Sequence, residues 1–271
     1  MKRARLTGWV RRRSARTLTP DSADIETEVQ PPGSGPVYTA KMRMKLTALL
    51  VLLASLSLQA QSARYYVAFL RPDPKRKALS PTENRRIQNS HMINIRELWQ
   101  AGDLVASGPC DDSPTTISGV FIFKVPSLRV AQQIAVHDPT VLKHRDTADV
   151  HAWQGPPGIG DEYTKLHRAD PDTPDKMQVH PLGVLYHGTA WGPGDPTLVA
   201  HESYIEQLRA QGRLGAAGGI EAPDELVGLA IFKAVPMEDA QLWLSRDPAV
   251  RARVLRVEWH RWLTADHVLP W

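Results

Sequence analysis

The chain shows two hydrophobic periods in turn, one of two residues and one of three to four. Residues 64–70, RYYVAFL, are rich in aromatic and branched side chains and predict a strand, which the prolines that follow bring to an end. Apolar side chains then recur at helical spacing from Ser80, a good capping residue, as far as Gly102. His91 lies on the apolar stripe of this predicted helix, so its imidazole should face the sheet.

Two more strands, a second helix and a fourth strand complete the pattern of the first half. The strands are predicted at 104–108, 119–125 and 148–153, and the helix at 126–136. The order strand, helix, strand, strand, helix, strand is that of the ferredoxin-like unit, in which two helices cover one face of a four-stranded antiparallel sheet.

The same pattern returns about 110 residues later, with one residue deleted. The matching residues, first copy against second, include His91 with His201, Gly102 with Gly212, Gly108 with Gly218, Asp138 with Asp247, His151 with His260, and Trp153 with Trp262. So many matches in one order indicate a duplicated unit. The second half is therefore predicted to repeat the elements of the first.

Each unit by itself would leave one face of its sheet uncovered. Exposed apolar surface is unfavourable by roughly 25 cal/mol per Å², and two sheets packed face to face remove it from water. We therefore predict an α+β fold of two tandem ferredoxin-like βαββαβ units, packed as an intramolecular pseudo-dimeric αβ barrel. A chain that pairs internally in this way can be monomeric.

Changes in composition divide the chain into five parts. A leader at 1–43 and a candidate signal peptide at 44–63 precede the first domain at 64–155. A linker rich in proline, glycine and aspartate occupies 156–177, and the second domain is 178–271. Each domain is large enough to hold a core of its own.

The segment 44–63 has the layout of a secretory signal peptide. A positive start is followed by about a dozen apolar residues and a small-residue exit that ends at Ala63. The apolar stretch is too short for a comfortable membrane span. We expect export to the periplasm or the medium and no stable membrane span after processing. Residues 1–43 either precede the true start of translation or form a disordered basic arm.

The net charge of +4 comes from the leader, because only 23 of the 33 Lys and Arg but 25 of the 29 Asp and Glu follow residue 45. The folded part is slightly acidic and lacks the dense basic surface that nucleic-acid binding requires. The single cysteine, Cys110, excludes an internal disulfide and any CxxC metal site. We expect Cys110 to line a pocket or to be a small buried hydrophobe, rather than a nucleophile.

The ordered set of motifs resembles the YCII-related family. The set consists of a histidine on the first helix, Gly-x-Leu, Gly-Pro followed by Asp, a Gly-led strand, Asp-Pro after the second helix, and a last strand with an aromatic end. The resemblance covers residues 65–155 well and 179–264 less closely. It implies ferredoxin-like units that form dimeric αβ barrels, with a His and an Asp proposed as an active-site pair.

Carried over residue by residue, the resemblance implies that His91 pairs with Asp111 or Asp112. In the second copy the pair would be His201 with Glu221, after a Gly-Gly step in place of Gly-Pro. Because glycine permits many more backbone conformations than proline, we expect the first copy to carry any chemistry.

A carboxylate held against one imidazole nitrogen makes the other a general base near neutral pH. Such a dyad suits proton abstraction or elimination on a small organic molecule, a lyase-like reaction. The alternative is a core histidine hydrogen-bonded to a backbone carbonyl, in a non-catalytic barrel that binds a ligand or has only a structural role. Whether the protein is an enzyme stays open at this point.

A histidine and a tryptophan two residues apart lie on one face of the last predicted strand in each copy. His151 and Trp153, with His260 and Trp262, either line a pocket or place the Trp in the sheet interface with the His at its rim. No close-spaced pair such as HExxH supports a metal site. No metal or cofactor is therefore expected, and the expected partner is an unidentified small molecule.

Overall fold

The computed structural model describes residues 63–112, 114–221 and 224–270. The predicted leader at 1–43 and the signal peptide up to residue 62 lie outside the described residues. Among the helices that are described, none has the length and hydropathy of a membrane span.

The first half contains four strands and three helices. They are β1 (Ala63–Pro72), α1 (Pro81–Ala101), β2 (Leu104–Pro109), β3 (Gly119–Phe123), α2 (Leu128–Val136), α3 (Pro139–Leu142) and β4 (Asp146–Gly155). The sequence signals at both ends of α1 are confirmed. Ser80 forms a capping box with Glu83 at its start, and Gly102 ends it in the left-handed conformation with φ +82°.

The second half follows the same order after one additional helix in the linker. Its elements are α4 (Asp161–Ala169), β5 (Met177–His187), α5 (Pro196–Ala210), β6 (Leu214–Glu221), β7 (Leu226–Phe232), α6 (Met237–Leu244), α7 (Pro248–Arg251) and β8 (Leu255–Ala265). The α+β class and the order of the main elements are as predicted. The linker helix α4 and the short helices α3 and α7 were not predicted.

The strands form one eight-stranded antiparallel sheet in the order β2-β3-β1-β4-β6-β7-β5-β8. The halves join where β4 pairs with β6, through Ala152 opposite Glu221. The two ends of the order also meet, because Cys110 bridges Trp262 and the Asp111 amide donates to Arg261 O at 2.9 Å. The sheet therefore closes on itself.

Alternate residues of the strands enter two kinds of core. Tyr65, Val67 and Phe69 of β1 belong to an interior cluster that includes side chains of both halves, while the intervening residues of β1 pack against the helices. The interior cluster ends at the start of β1, where Ile159 of the linker and Leu269 of the tail are buried against it. One end of the barrel is thus closed by apolar side chains.

Candidate functional site

His91 lies on the buried stripe of α1, as predicted, but its partner is different. Its Nδ1 is 2.8 Å from Oδ2 of Asp138, and its ring stacks on Phe121 with 5.7 Å between centroids. The predicted pairing of His91 with Asp111 or Asp112 is wrong. Those residues follow β2 at the junction with β8, whereas Phe121 belongs to the core between the helices and the sheet.

Asp138 is fully buried and uses its carboxylate to cap α3. It accepts hydrogen bonds from Thr140 N at 2.8 Å and from Asn94 Nδ2 at 2.9 Å, in addition to the one from His91. Burial by itself would raise the pKa of Asp138, but the hydrogen bonds from His91 and Thr140 outweigh it and hold the pKa below its usual value. The carboxylate is therefore ionised and committed to these donors.

The second copy repeats this arrangement. Nδ1 of His201 is 2.7 Å from Oδ2 of Asp247, which is also fully buried and caps α7 by accepting from Ala249 N at 2.9 Å. Glu221, the predicted partner of His201, instead pairs with Arg64 at 2.7 Å on the surface. Since both copies use the same acid for capping and for the histidine, the two pairs are structural ties between helices. The inequality predicted for these two histidines is not found in their hydrogen bonds.

The two tryptophans predicted to line a pocket hold the junctions between the copies. Trp262 Nε1 donates to Gly108 O at 3.2 Å, and Trp153 Nε1 donates to Gly218 O at 3.1 Å. Both rings are fully buried. The strands approach so closely here that a Cβ on Gly108 would lie 1.9 Å from Leu263 O. Of the two alternatives predicted from the sequence, the tryptophans therefore fit the second, in which they lie in the sheet interface and do not line a pocket.

The other end of the barrel, at the end of β1, is polar. Arg71 donates to the Tyr186 hydroxyl at 3.3 Å across the two copies, and its Nε is 3.8 Å from Oδ2 of Asp149. Arg256 lies over the Tyr186 ring at 4.2 Å. Burial is the main reason that the pKa of Tyr186 is raised above its usual value, so the phenol is neutral near pH 7.

His151 stands at this polar end with its ring buried and an acid beside it. Its Nε2 is 2.7 Å from Oδ1 of Asp149, whose side chain is 41% exposed. The close approach of the His151 imidazole is the main reason that the pKa of Asp149 is lowered, and the charge of Arg71 adds to the effect. A carboxylate that is ionised and partly exposed can accept hydrogen bonds from a ligand.

His260, the counterpart of His151, lies between two carboxylates. Its Nδ1 is 2.6 Å from Oδ2 of Asp112, and its Nε2 is 3.3 Å from Oε1 of Glu258 without hydrogen-bond geometry. Asp112 also accepts from the Arg261 amide at 2.8 Å, and Glu258 accepts from Thr116 Oγ1 at 2.5 Å. The predicted site residues Asp112 and His260 thus come together across the copies.

Cys110 completes this corner of the barrel. One donor atom each of Cys110, Asp112 and His260 lie within 4.8 Å of one another, and Cys110 is 8% exposed. Burial, with the nearby Asp112 charge, raises the pKa of the Cys110 thiol well above its usual range. The second copy lacks the equivalent group, since Ile220 occupies the position opposite Trp153. The polar end is therefore asymmetric at this corner.

A cleft of about 460 Å³ lies outside the barrel, between α4 and the start of β2. Its lining residues are Trp99, Gly102, Leu104, Val105, Lys124, Asp161, Thr164, Lys165 and Arg168. None of the site residues predicted from the sequence is among them.

No protein-family model and no curated protein matches the chain. Solved structures similar to it include a provisionally assigned chlorite dismutase, with a TM-score of 0.43, 11% identity and coverage of 74% of this chain and 95% of that chain. A heme-binding protein from Thermus thermophilus has a TM-score of 0.43, 16% identity and coverage of 76% and 90%. The siroheme decarboxylase NirDL has a TM-score of 0.37, 9% identity and coverage of 82% and 81%. Nothing about the ligand of this chain follows from such distant similarity.

Proposed function

We propose that the protein binds a small organic molecule at the polar end of its barrel, where side chains of both copies meet. The observation that carries this proposal is the change from apolar to polar along the interior of the barrel. On β1, Val67 and Phe69 give way to Arg71, and on β5 the interior-facing positions end in Tyr186.

Packing alone would favour apolar side chains at these positions, because buried charges are costly unless they are paired. A few convergent polar groups at the mouth of a barrel are instead typical of a ligand site. The opposite end is closed by apolar residues of the linker and the tail, among them Ile159 and Leu269. A ligand would therefore enter from the side of Arg71 and Asp149.

A proton-transfer enzyme is the second candidate, and the pair formed by Asp149 and His151 favours it. Asp149 is 41% exposed at the mouth, while His151, 8% exposed, lies behind it at 2.7 Å. In this role Asp149 would take a proton from a bound molecule, and His151 would hold the carboxylate in place. Proton abstraction or elimination at a His/Asp dyad thus remains a hypothesis, but with other residues than the predicted His91.

The two copies are, in this proposal, YCII-related units duplicated in tandem and packed as an intramolecular pseudo-dimer. The matched contacts of Trp153 with Gly218 and of Trp262 with Gly108 support an approximate twofold relation. Because the two halves of the sheet cover each other within one chain, the protein is expected to be a monomer. Analytical ultracentrifugation would measure a mass near 30.1 kDa, or less after processing, and a stable dimer would contradict the proposal.

Export to the periplasm or the medium is also proposed, on the sequence pattern at 44–63 alone. N-terminal sequencing of protein from the envelope or medium of the producing cell should begin near Arg64. A cytoplasmic product that retains this segment would contradict export.

Ligand binding is tested by a thermal-shift screen of a library of small carboxylic acids, amines and polar heterocycles, with hits measured by calorimetry. Tyr186→Phe removes only the hydroxyl that Arg71 contacts, and should weaken binding of a hit about two- to tenfold, the effect of one hydrogen bond. Tyr163→Phe is the matched control, because the Tyr163 hydroxyl donates to Asp175 outside the barrel. A hit that is weakened equally by both changes, or no hit at all, would favour a purely structural barrel.

Proton transfer is tested on the same hits by following hydrogen–deuterium exchange of the bound compound by NMR. Asp149→Asn should abolish enzyme-dependent exchange while the compound still binds. Exchange that continues at the wild-type rate in this variant would exclude the second candidate.

A further inference from the structure

His260 lies between two carboxylates, but a neutral imidazole has too few N–H groups to donate to both. A neutral imidazole has one N–H and one lone pair. With Asp112 at 2.6 Å from Nδ1 and Glu258 at 3.3 Å from Nε2, a neutral ring can donate to only one of them. If Nδ1 donates to Asp112, the buried Nε2 is left without a hydrogen-bond partner, in a side chain that is 2% exposed. A cation at Nδ1 moves the ring proton to Nε2, on the side of Glu258, and removes this conflict.

The third group at this corner indicates which kind of cation fits. A proton would satisfy His260 and Asp112, but it gives no role to Cys110, whose donor atom lies within 4.8 Å of theirs. Sulfur, imidazole nitrogen and carboxylate oxygen together are ligands that zinc prefers, at about 2.0–2.3 Å from the ion. Small movements of the three side chains would bring their donor atoms to such distances.

We propose that Cys110, Asp112 and His260 bind one divalent transition-metal ion, best matched by zinc, at the junction of the two copies. On binding, the ion replaces the thiol proton of Cys110, which passes to solvent, and His260 binds as a neutral imidazole with Nδ1 on the ion and its one proton on Nε2. Three protein ligands leave one coordination position for water or for a ligand atom, as in sites where zinc is not purely structural.

Glu258 and Thr116 supply the outer support that such a site needs. Histidine ligands commonly donate their second N–H to a carboxylate, which fixes the ring orientation. With the ion at Nδ1, the proton of His260 is on Nε2, 3.3 Å from Glu258, and a small change in ring orientation would align this hydrogen bond. Thr116 Oγ1 already donates to Glu258. The second copy has Ile220 in place of Cys110, so one ion per chain is expected.

This inference goes beyond the proposed ligand binding and is tested without a ligand. The full chain is stripped with a chelator, and Co²⁺ is titrated as a spectroscopic probe, with Zn²⁺ competition to measure affinity. We expect one Co²⁺ per chain and a sulfur-to-cobalt charge-transfer band. Cys110→Ser should abolish the band, and Glu258→Gln should keep it while weakening Zn²⁺ binding about 10- to 100-fold.

Asp111→Asn is the matched control, because it removes an exposed carboxylate of the same loop and should leave band and affinity unchanged. Cys110→Ala provides a second test if the serine variant does not fold. Absence of stoichiometric binding, or an unchanged affinity in folded Cys110 variants, would overturn the metal site. Because Tyr186→Phe affects only ligand binding, a failure of the metal site and a failure of the proposed function give different results.

Discussion

Replacement of Asp138 by alanine is expected to destabilise the protein while leaving ligand binding unchanged. The buried carboxylate accepts hydrogen bonds from His91, Asn94 and Thr140, and alanine leaves all these donors without an acceptor. Loss of a helix cap costs about 1 kcal/mol, and a buried donor left unpaired costs about 1–3 kcal/mol. The free energy of unfolding should therefore fall by about 3–5 kcal/mol, the range found when one partner of a buried pair is removed.

Urea denaturation followed by tryptophan fluorescence measures this loss directly. Thermal unfolding is a second measurement. Asp138→Ala should lower the Tm by roughly 6–20 °C, given about 2–4 °C per kcal/mol for a domain of this size. Asp247→Ala should behave alike, because it breaks the matching tie to His201 in the second copy. Exposed Asp111→Asn is the control, with an expected change within about 0.5 kcal/mol.

A folded Asp138→Ala variant with the unfolding midpoint of the wild type would show that this tie does not stabilise the protein. Loss of ligand binding in such a variant would return His91 to the functional role that the sequence suggested. A loss of stability in only one of the two aspartate variants would show that the ties are not equivalent.

The remaining predictions concern the copy junctions, the thiol and the response to acid. Gly108→Ala and Gly218→Ala should each cost about 1–3 kcal/mol in urea denaturation, because the added Cβ would lie within 2 Å of a backbone oxygen, whereas Gly192→Ala, in open space, should be neutral. Cys110 should react with iodoacetamide far more slowly in the native than in the unfolded protein, as mass spectrometry would show, because its thiol is buried and its pKa raised. The lowered pKa of Asp138 stabilises the fold above about pH 4 and loses this effect as the pH falls through the folded value. The stability difference between wild type and Asp138→Ala should therefore narrow below pH 4, and a constant difference would contradict this.

The order of the main elements could be predicted from local signals. Such signals depend on residues that are close together in the sequence. They include the hydrophobic period of each element, the cap at Ser80 and the glycine at Gly102, which mark the two ends of α1. The linker helix α4 was missed because it begins after Gly160 without a capping side chain, in a segment dominated by proline and glycine. Its first turn does contain Asp161 and Glu162, which favour a helix start.

The acidic partners of His91 and His260 could not be predicted from the sequence. Asp138 was visible as part of a repeated Asp-Pro, and an aspartate before a proline at the first helical position is a cap signal. That signal marks the start of α3, a helix that was not predicted, and it gives no reason to place His91 beside it. The contact of Asp112 with His260 joins residues 148 positions apart across the copies, and only the closure of the sheet brings them together.

The two halves of the chain have the same order of main elements, and comparing them helps to separate structural from functional residues. Where both copies keep the same contact, as His91 and His201 do with their capping aspartates, the fold alone accounts for it. Where one copy differs at an equivalent buried position, the fold does not require either residue. Cys110 is buried where the second copy has the partly buried Ile220, so the strand pairing at this position does not require a thiol. The asymmetric corner, rather than the symmetric histidine pairs, is therefore where selection for a ligand or an ion would act.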